Sequence, residues 1–261
     1  MSEPPEPPEP PGPPDLAQLL PTGVAVEQVI GAGSDDDLRA LFPEEAAHVV
    51  RAVDKRRREF AAARACARRA LDRLGHPPVP IPSGERGAPV WPPGVVGSLT
   101  HCEGFVAAAV APSAVLAALG VDAEPHAPLP DGVLRLVARS EEQVDVGQLA
   151  AARPDVHWDR LLFSAKEAVY KCWFPLTGRW LGFEEARITV DPSVDPTVDL
   201  ASGTFEARLL VPGPVVDGRV VAGFAGRWAV AGGLVLTAVA LARLSPPATS
   251  PAQGPGTSPD R

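Results

Sequence analysis

The chain has 261 residues, 45% of them apolar and 21% charged, which is enough for one large globular domain or two small ones. Its net charge of −8 at pH 7 argues against a general nucleic-acid-binding protein, because such proteins neutralise phosphates with cations. No basic N-terminal region precedes an apolar run, and no uninterrupted apolar segment reaches about 18 residues, so we expect a cytoplasmic protein with no membrane partner.

The two ends of the chain differ in composition from the rest. Residues 1–14 and 245–261 are rich in proline and contain almost no apolar side chains, which predicts disordered tails. The remainder divides into a predicted N-terminal half, residues 15–118, and a predicted C-terminal half, residues 119–244. The cysteines are far apart and have no CxxC spacing. We therefore expect reduced thiols, and not disulfides or zinc ligands, at Cys66, Cys102 and Cys172.

The clearest predicted helix runs from Pro43 to Leu74. It begins with proline and two acids and is followed by Gly75, the usual order of helix start and stop signals. Arg56 and Arg64 lie four residues on either side of Phe60, so both can face a cleft, although on an ordinary helix they would extend into water. Apolar residues three, four or seven apart predict one buried stripe, formed by Val49, Val53, Phe60, Ala67, Leu71 and Leu74.

A long loop rich in proline and glycine follows this helix, from residue 76 to residue 94. Loops of this length in a compact domain are often functional. Three short apolar runs come next and are predicted strands: VVGSLTHC, GFVAAAVAP and AVLAALGVDAE. The second half has predicted helices around residues 130–139 and from Trp158 to Phe174. These are followed by predicted strands in ARITV, GTFEARLLV, RVVAGFAGRWAVAGG and LVLTAVALARL.

This order of elements predicts an α+β fold. We expect two similar halves, each a helix packed on a small antiparallel sheet, and not a parallel βαβ array. No sequence repeat relates the halves, so the expected similarity is one of architecture. The active site is expected in the cleft between them.

Two acidic residues, Asp122 and Glu124, stand at the end of a predicted strand. One residue separates them, so the alternation of side chains along a strand places both carboxylates on the same face. Two such carboxylates repel each other unless a cation lies between them. A strand that ends in solvent also accounts for two acids, and the spacing alone does not distinguish the two interpretations.

The segment FSAKEAVYK places Lys166, Glu167 and Lys171 within two turns of a predicted helix. Glu167 and Lys171 are an i, i+4 pair, which is an ordinary helix-stabilising interaction. As a third carboxylate beside Asp122 and Glu124, Glu167 would complete a site of oxygen ligands for Mg²⁺. The other positions of the ion would take water and substrate phosphate. His101 and Cys102 do not indicate a Cys/His hydrolase, because no G-x-S-x-G motif is present and the two side chains point to opposite faces of the strand. A contact between His101 and phosphate is the better functional prediction.

Four segments occur in the order RREFAAARACARRAL, GERGAPVWPPGVVGSLTHC, GVDAEP and FSAKEAVYK. In this order they resemble the 4′-phosphopantetheinyl transferases of the monomeric type that serve siderophore, peptide and polyketide synthases. The resemblance covers roughly residues 45–190, and its motifs are specific together although each is weak alone.

The resemblance implies roles for individual residues. The implied ligands of Mg²⁺, with Mn²⁺ as an alternative ion, are Asp122, Glu124 and Glu167. The implied coenzyme A contacts are Arg56 and Arg64 at the nucleotide end, Gly87, Ala88 and Pro89 at the adenine, and Thr100, His101, Lys166 and Lys171 at the phosphates; Asp122 is also among the implied coenzyme A-binding residues. Relatives often carry a lysine in this loop, where the chain has Ser83, Ala88 and Arg86, so the residue that binds the 3′-phosphate is not assigned.

The implied reaction is that of a holo-[acyl-carrier-protein] synthase. A serine hydroxyl of an apo acyl or peptidyl carrier protein attacks the β-phosphorus of coenzyme A, and 3′,5′-ADP leaves. Glu167 is the implied general base, while Lys171 and His101 neutralise charge on the leaving group. Two alternatives remain open. One is a metal-dependent phosphoesterase that uses the same carboxylates, and the other is a non-enzymatic binding module whose basic helix docks an acidic partner.

Overall fold

The computed structural model describes residues 15–31, 33–191 and 201–244, so the predicted tails, residues 1–14 and 245–261, lie outside the described residues. The helices are α1 (Asp35–Arg39), α2 (Pro43–Val49), α3 (Asp54–Arg73), α4 (Val133–Val137), α5 (Ser140–Ala152) and α6 (Trp158–Thr177). The strands are β1 (Ala25–Ile30), β2 (Val95–Cys102), β3 (Phe105–Pro112), β4 (Leu116–Pro125), β5 (Ala186–Asp191), β6 (Ala201–Leu209), β7 (Val215–Val216), β8 (Arg219–Val220), β9 (Gly223–Ala231) and β10 (Leu234–Ala242). Among the described helices, none combines the length and the apolar character needed to cross a membrane.

The described strands form two main antiparallel sheets. One has the order β1-β3-β2 and the other the order β4-β10-β9-β6-β5, while β7 and β8 pair separately. Helix α3 packs on the first sheet, where Cys66 and Leu71 share an apolar cluster with Val110. Helix α6 packs on the second sheet through a cluster that includes Trp173 and Trp228. The predicted α+β fold is therefore confirmed.

Two buried hydroxyl groups join the sheets. Ser98 Oγ on β2 accepts a hydrogen bond of 3.0 Å from the backbone N–H of Val121 on β4, and Thr100 Oγ1 accepts one of 2.9 Å from the backbone N–H of Ala123. Strand β4 thus pairs with β10 through backbone hydrogen bonds and is joined to β2 through side chains. The predicted division of the chain after residue 118 falls within β4 and remains a prediction.

The prediction of a single helix from residue 43 to residue 74 is wrong in one respect. The structure has two helices here, α2 and α3, with a break after Val49. Val53 is extended, with ψ of 155°, and is 73% exposed instead of buried. The interruption lets α2 fold back, so that Arg68 Nη1 donates a hydrogen bond of 2.8 Å to Oε1 of the fully buried Glu45. In a continuous helix these two residues would be about 35 Å apart, at a rise of ~1.5 Å per residue. A buried long-range ion pair therefore overrides the local helix pattern.

The predicted helix around residues 130–139 corresponds to α4, whereas α5 lies in a stretch without a predicted element. The buried carboxylate of Glu142 accounts for the break between α4 and α5. It accepts hydrogen bonds from the backbone N–H groups of Arg139 at 2.8 Å and of Ile188 at 2.7 Å, which caps α5 and ties it to β5. The predicted helix at Trp158 and the predicted strands agree with the described elements to within a few residues. β1 and α1 lie in a stretch without a predicted element.

Helix α6 lies directly against strand β4 at Gly120. A Cβ atom at this position would overlap the carbonyl oxygen of Ala168, so the missing side chain is what allows the close approach. Strand β4 carries Asp122, and α6 carries Glu167 and Lys171. The contact at Gly120 therefore sets the separation of the carboxylates and the ammonium that the sequence identifies as functional.

We expect Gly120→Ala to lower the free energy of unfolding by about 1–3 kcal/mol, the usual effect of overpacking a core, and to lower turnover because α6 must move away from β4. Urea unfolding followed by circular dichroism measures the change in stability. Gly147→Ala is the control, because a Cβ atom there has no neighbour within 4 Å and alanine favours the helix α5. Equal stability of Gly120→Ala and the unchanged protein would contradict the close contact.

Candidate active site

A cavity of about 520 Å³ lies between α3 with its sheet and α6, and its wall combines residues from both halves of the chain. The site residues expected from the sequence that line it are Arg56, Arg64, Gly87, Ala88, Pro89, Thr100, His101, Glu167 and Lys171. Phe60, Trp91, Tyr170 and Phe174 also line it, although the sequence assigns them no role there. The sequence does contain a signal that Tyr170 belongs to the site, because Tyr170 follows Glu167 by three residues and so lies on the same face of the helix.

Asp122 is joined to the cavity through Lys171. Lys171 Nζ donates a hydrogen bond of 2.7 Å to Asp122 Oδ1 and one of 3.1 Å to the carbonyl oxygen of Val121. Ser164 Oγ on α6 donates a hydrogen bond of 2.8 Å to Oδ2 of the same carboxylate. Asp122 is buried and the side chain of Lys171 is 27% exposed, so this is a partly buried ion pair that connects β4 with α6.

Glu167 faces the same cavity from the preceding turn of α6. Within the described ranges, its carboxylate makes no hydrogen bond or ion pair with the protein. Burial raises the pKa of Glu167, the negative charge of Asp122 raises it further, and Lys171 opposes both effects. An unpaired carboxylate with a raised pKa is suited to accept a proton from a substrate hydroxyl.

Glu124 is neutralised by a different cation. Arg160 Nη1 donates a hydrogen bond of 2.9 Å to Glu124 Oε2, and the same guanidinium donates to the carbonyl oxygens of Ala127 and Pro128. Burial raises the pKa of Glu124, and so does the charge of Asp122. In the part of the chain that the structure describes, no cluster of three or more His, Cys, Asp or Glu residues is arranged so that it could hold a metal ion.

His101 contacts Arg56, whose guanidinium donates a hydrogen bond to Nε2 of the imidazole. Burial and then the surrounding positive charges, Arg56 first, lower the pKa of His101 to about 4. The imidazole is therefore neutral at pH 7 and forms no ion pair with Glu59, whose Oε2 lies 3.6 Å from Nδ1. The expected contact of His101 with phosphate remains a prediction, in which the neutral imidazole donates a hydrogen bond and Arg56 supplies the positive charge.

Lys166 does not line the cavity, contrary to the expected phosphate contact. Its side chain is 3% exposed, and its ammonium donates to Glu142 Oε2 at 2.8 Å and to the carbonyl oxygens of Phe183 at 2.6 Å and Ala186 at 2.9 Å. An ammonium has three N–H donors, so none remains for a phosphate. Lys166 instead borders a smaller cavity of about 160 Å³, which Glu167 also lines.

Arg64 and Thr100 line the cavity with side chains that the protein already engages. Arg64 Nε donates a hydrogen bond of 2.9 Å to the carbonyl oxygen of Ile81, and Nη2 donates one of 3.0 Å to Ser83 Oγ. The guanidinium lies over the ring of Phe60, 3.9 Å from its centroid. Burial lowers the pKa of Arg64 to about 10, which leaves it charged at pH 7. The hydroxyl of Thr100 already joins the two sheets, so it has less capacity for a phosphate contact.

Comparisons with known proteins agree with this geometry. Residues 44–111 match the family model described as the 4′-phosphopantetheinyl transferase N-terminal domain, and residues 118–222 match that of the 4′-phosphopantetheinyl transferase superfamily. The chain is similar to the 4′-phosphopantetheinyl transferase Svp of Streptomyces mobaraensis, with 57% identity over 241 residues that cover 92% of this chain and 95% of Svp.

Two further relatives have similar names. The 4′-phosphopantetheinyl transferase Npt of Nocardia iowensis is 51% identical over 86% of this chain and 98% of Npt. The 4′-phosphopantetheinyl transferase PptT of Mycobacterium tuberculosis is 50% identical over 77% of this chain and 86% of PptT. Neither the phosphoesterase nor the binding-module alternative finds support among these relatives. With two family models and high identity over most of its length, the chain belongs to the 4′-phosphopantetheinyl transferase superfamily.

Proposed function

We propose that the cavity binds coenzyme A and that the protein transfers the 4′-phosphopantetheine arm to a serine of an apo acyl or peptidyl carrier protein. The serine oxygen forms a bond with the β-phosphorus, the bond from this phosphorus to the bridging oxygen breaks, and 3′,5′-ADP leaves. The observation that carries this proposal is the unpaired carboxylate of Glu167 beside Lys171, in a cavity that Arg56 and Arg64 also line.

Glu167 and Lys171 have complementary roles in this proposal. Glu167 accepts the proton of the serine hydroxyl, a transfer that typically contributes ~10²–10⁴ in rate. Lys171 stabilises the negative charge that develops on the leaving diphosphate. Two of the N–H donors of Lys171 are directed to Asp122 and Val121, so the third remains for a phosphate oxygen. In this respect Lys171 differs from Lys166, whose donors are all used.

The carboxylates fit a divalent cation in their donor chemistry, and we propose Mg²⁺ or Mn²⁺ as the cofactor. Asp122, Glu124 and Glu167 offer the oxygen ligands that hard cations prefer. The charge of Asp122 raises the pKa of both glutamates, and a cation among the three carboxylates would relieve this repulsion. When bound, the ion would neutralise negative charge on the diphosphate of coenzyme A. Arg160 already pairs with Glu124 and Lys171 with Asp122, so Glu167 is the carboxylate of the three that could bind the ion without breaking an ion pair among the described residues.

The direct test is incubation with Mg²⁺, coenzyme A and a purified apo carrier protein, followed by mass spectrometry of the carrier. Addition of the phosphopantetheine arm to the carrier supports the transferase. Hydrolysis of coenzyme A in the absence of a carrier would instead support the phosphoesterase. A protein that does neither, yet binds an acidic partner, would act as the binding module. We also propose that the protein is a cytoplasmic monomer and that it serves siderophore, peptide or polyketide synthases. Light scattering tests whether the protein is a monomer.

We expect Arg56→Ala to weaken coenzyme A binding about tenfold, the lower end for loss of a hydrogen bond to a charged group. Arg56→Lys should retain part of the affinity because it keeps the charge. Added salt should reduce the difference between these variants, since Arg56 is exposed. Calorimetric titration measures the affinity, and Arg57→Ala is the control, because Arg57 is also exposed but is not part of the cavity wall. Unchanged affinity in Arg56→Ala would mean that Arg56 only extends into water.

A further inference from the structure

Helix α6 carries two cations on the face that meets the carboxylates of β4. Arg160, Glu167 and Lys171 are spaced by seven and then four residues, which places them on one face of the helix. Arg160 Nη1 donates a hydrogen bond of 2.9 Å to Glu124 Oε2, and Lys171 Nζ donates one of 2.7 Å to Asp122 Oδ1. Both carboxylates of β4 are therefore paired with cations of α6.

The two cations differ in what else they can reach. Lys171 lines the larger cavity, whereas Arg160 is not part of its wall. The Arg160 side chain is 15% exposed and that of Glu124 is 20% exposed, so this ion pair is sheltered and only weakly screened by salt. The charge of Arg160 is thus directed at Glu124 and not at the phosphates of a nucleotide in the cavity.

The loop that follows β4 has anchors on α6 that do not involve Arg160. Asp159 Oδ2 accepts a hydrogen bond of 2.8 Å from the backbone N–H of Leu129, and His126 Nε2 accepts one of 3.1 Å from the backbone N–H of His157. Arg160 adds hydrogen bonds to two backbone carbonyl oxygens of the loop. Because the first two contacts are independent of Arg160, the loop should stay attached to α6 when Arg160 is replaced.

A divalent ion at the carboxylates must compete with these cations. The three carboxylates proposed for the ion carry three negative charges, and the two paired cations compensate two of them. The remaining charge attracts a divalent ion much less than three free carboxylates would, and Arg160 repels an ion close to Glu124. The diphosphate of coenzyme A adds negative charge and oxygen ligands. The ion should therefore gain most when it binds together with the nucleotide.

We propose that Arg160 occupies the cation position at Glu124 until coenzyme A is bound, so that the protein alone binds a divalent ion weakly and the complex with the nucleotide binds it tightly. The inference rests on the proposed function. Glu124 becomes available to the ion only when Arg160 moves away from it, and the charge of the diphosphate offsets the loss of the ion pair. By linkage, the ion must tighten the binding of coenzyme A by the same factor.

The test is a titration of Mn²⁺ into the full-length protein, in which electron paramagnetic resonance measures the free ion. It is done with and without coenzyme A, and no carrier protein is present. In the unchanged protein, coenzyme A should tighten Mn²⁺ binding at least about tenfold. Without coenzyme A, Arg160→Gln should bind Mn²⁺ at least about tenfold more tightly than the unchanged protein, and it should gain correspondingly less from the nucleotide.

Arg160→Lys separates the charge of Arg160 from its contacts with the loop. Lysine keeps the charge but cannot reproduce the three-point geometry of the guanidinium, so this variant should bind Mn²⁺ as weakly as the unchanged protein. If Arg160 acts through Glu124, adding Glu124→Gln to Arg160→Gln should remove the gain in Mn²⁺ affinity. The matched control is Arg187→Gln, which removes the same charge from an ion pair with Asp145 on α5 and should leave Mn²⁺ binding unchanged.

A Mn²⁺ affinity of Arg160→Gln no higher than that of the unchanged protein would overturn the inference. Equal Mn²⁺ affinity of the unchanged protein with and without coenzyme A would also overturn it, and this comparison holds even if Arg160→Gln does not fold. If either result is obtained while the unchanged protein modifies a carrier, only the inference about Arg160 is wrong. If the unchanged protein neither modifies a carrier nor binds coenzyme A, the proposed function is wrong and the inference falls with it.

Discussion

Glu167→Gln should lower turnover at least ~10²-fold, the lower end for loss of a general base, while the protein stays folded. Glutamine is close to glutamate in shape and helix propensity. The substitution also breaks no hydrogen bond or ion pair among the described residues. If Glu167 and Lys171 were only an exposed helix pair, the change would cost about 0.3–0.5 kcal/mol of stability and leave turnover unaffected. Mass spectrometry of the modified carrier measures the rate.

The control for Glu167→Gln is Glu44→Gln, an exposed position on α2 at which turnover should not change. Glu59 is unsuitable as a control, because its carboxylate lies 3.6 Å from the imidazole of His101. A higher Mg²⁺ concentration should recover only the part of the loss that comes from weaker ion binding. Unreduced turnover by Glu167→Gln would reject Glu167 as the proton acceptor, and the proposed mechanism would then be wrong.

Lys166→Met should lower the free energy of unfolding by about 3–5 kcal/mol, the usual effect of removing one partner from a buried ion pair. The methionine keeps the length and apolar character of the side chain, but it leaves the charge of Glu142, which is 1% exposed, without a cation. The carbonyl oxygens of Phe183 and Ala186 also lose their donor. Urea unfolding measures the loss.

Two comparisons show whether Lys166 has a structural role or contacts phosphate. In the folded part of the Lys166→Met sample, the affinity for coenzyme A should remain unchanged, because Lys166 does not line the larger cavity. Adding Glu142→Gln should restore part of the stability, since the unpaired charge is then removed. Lys55→Met, an exposed position on α3, is the control for the loss of a lysine. Normal stability with weakened coenzyme A binding would restore the phosphate contact expected from the sequence.

Elements that depend on neighbours in the sequence could be predicted, and those that depend on distant partners could not. Strand β2 and helix α6 follow from short apolar runs and from helix periodicity, which are local properties. The break before α3 has no such local cause. It exists because Glu45 is buried against Arg68, and the pairing of two residues so far apart in sequence is not visible in either segment alone.

The same distinction applies to the site. The motif FSAKEAVYK identifies Glu167 and Lys171, which face the cavity from one side of α6. The motif cannot reveal which way the side chain of Lys166 points, because its orientation depends on the ion pair with Glu142 in a different helix. The neutral state of His101 was equally hidden, since it results from burial and from the charge of Arg56, which lies on another element. The sequence thus shows which residues could take part in the chemistry. Their charge states and their partners can be determined only from the folded structure.

The contact between main chains at Gly120 has a consequence for how this enzyme tolerates mutation. At their closest point β4 and α6 meet through backbone atoms, since Gly120 has no side chain. The packing of other side chains in the core therefore does not set the spacing of the two elements there. Substitutions elsewhere in the same core, for example at Val169 or Ile188, should therefore alter stability while the positions of the reacting groups are preserved. As such substitutions accumulate, the amount of folded enzyme in the cell should fall before the activity of each folded molecule does. Selection on this half of the chain would then act mainly through abundance.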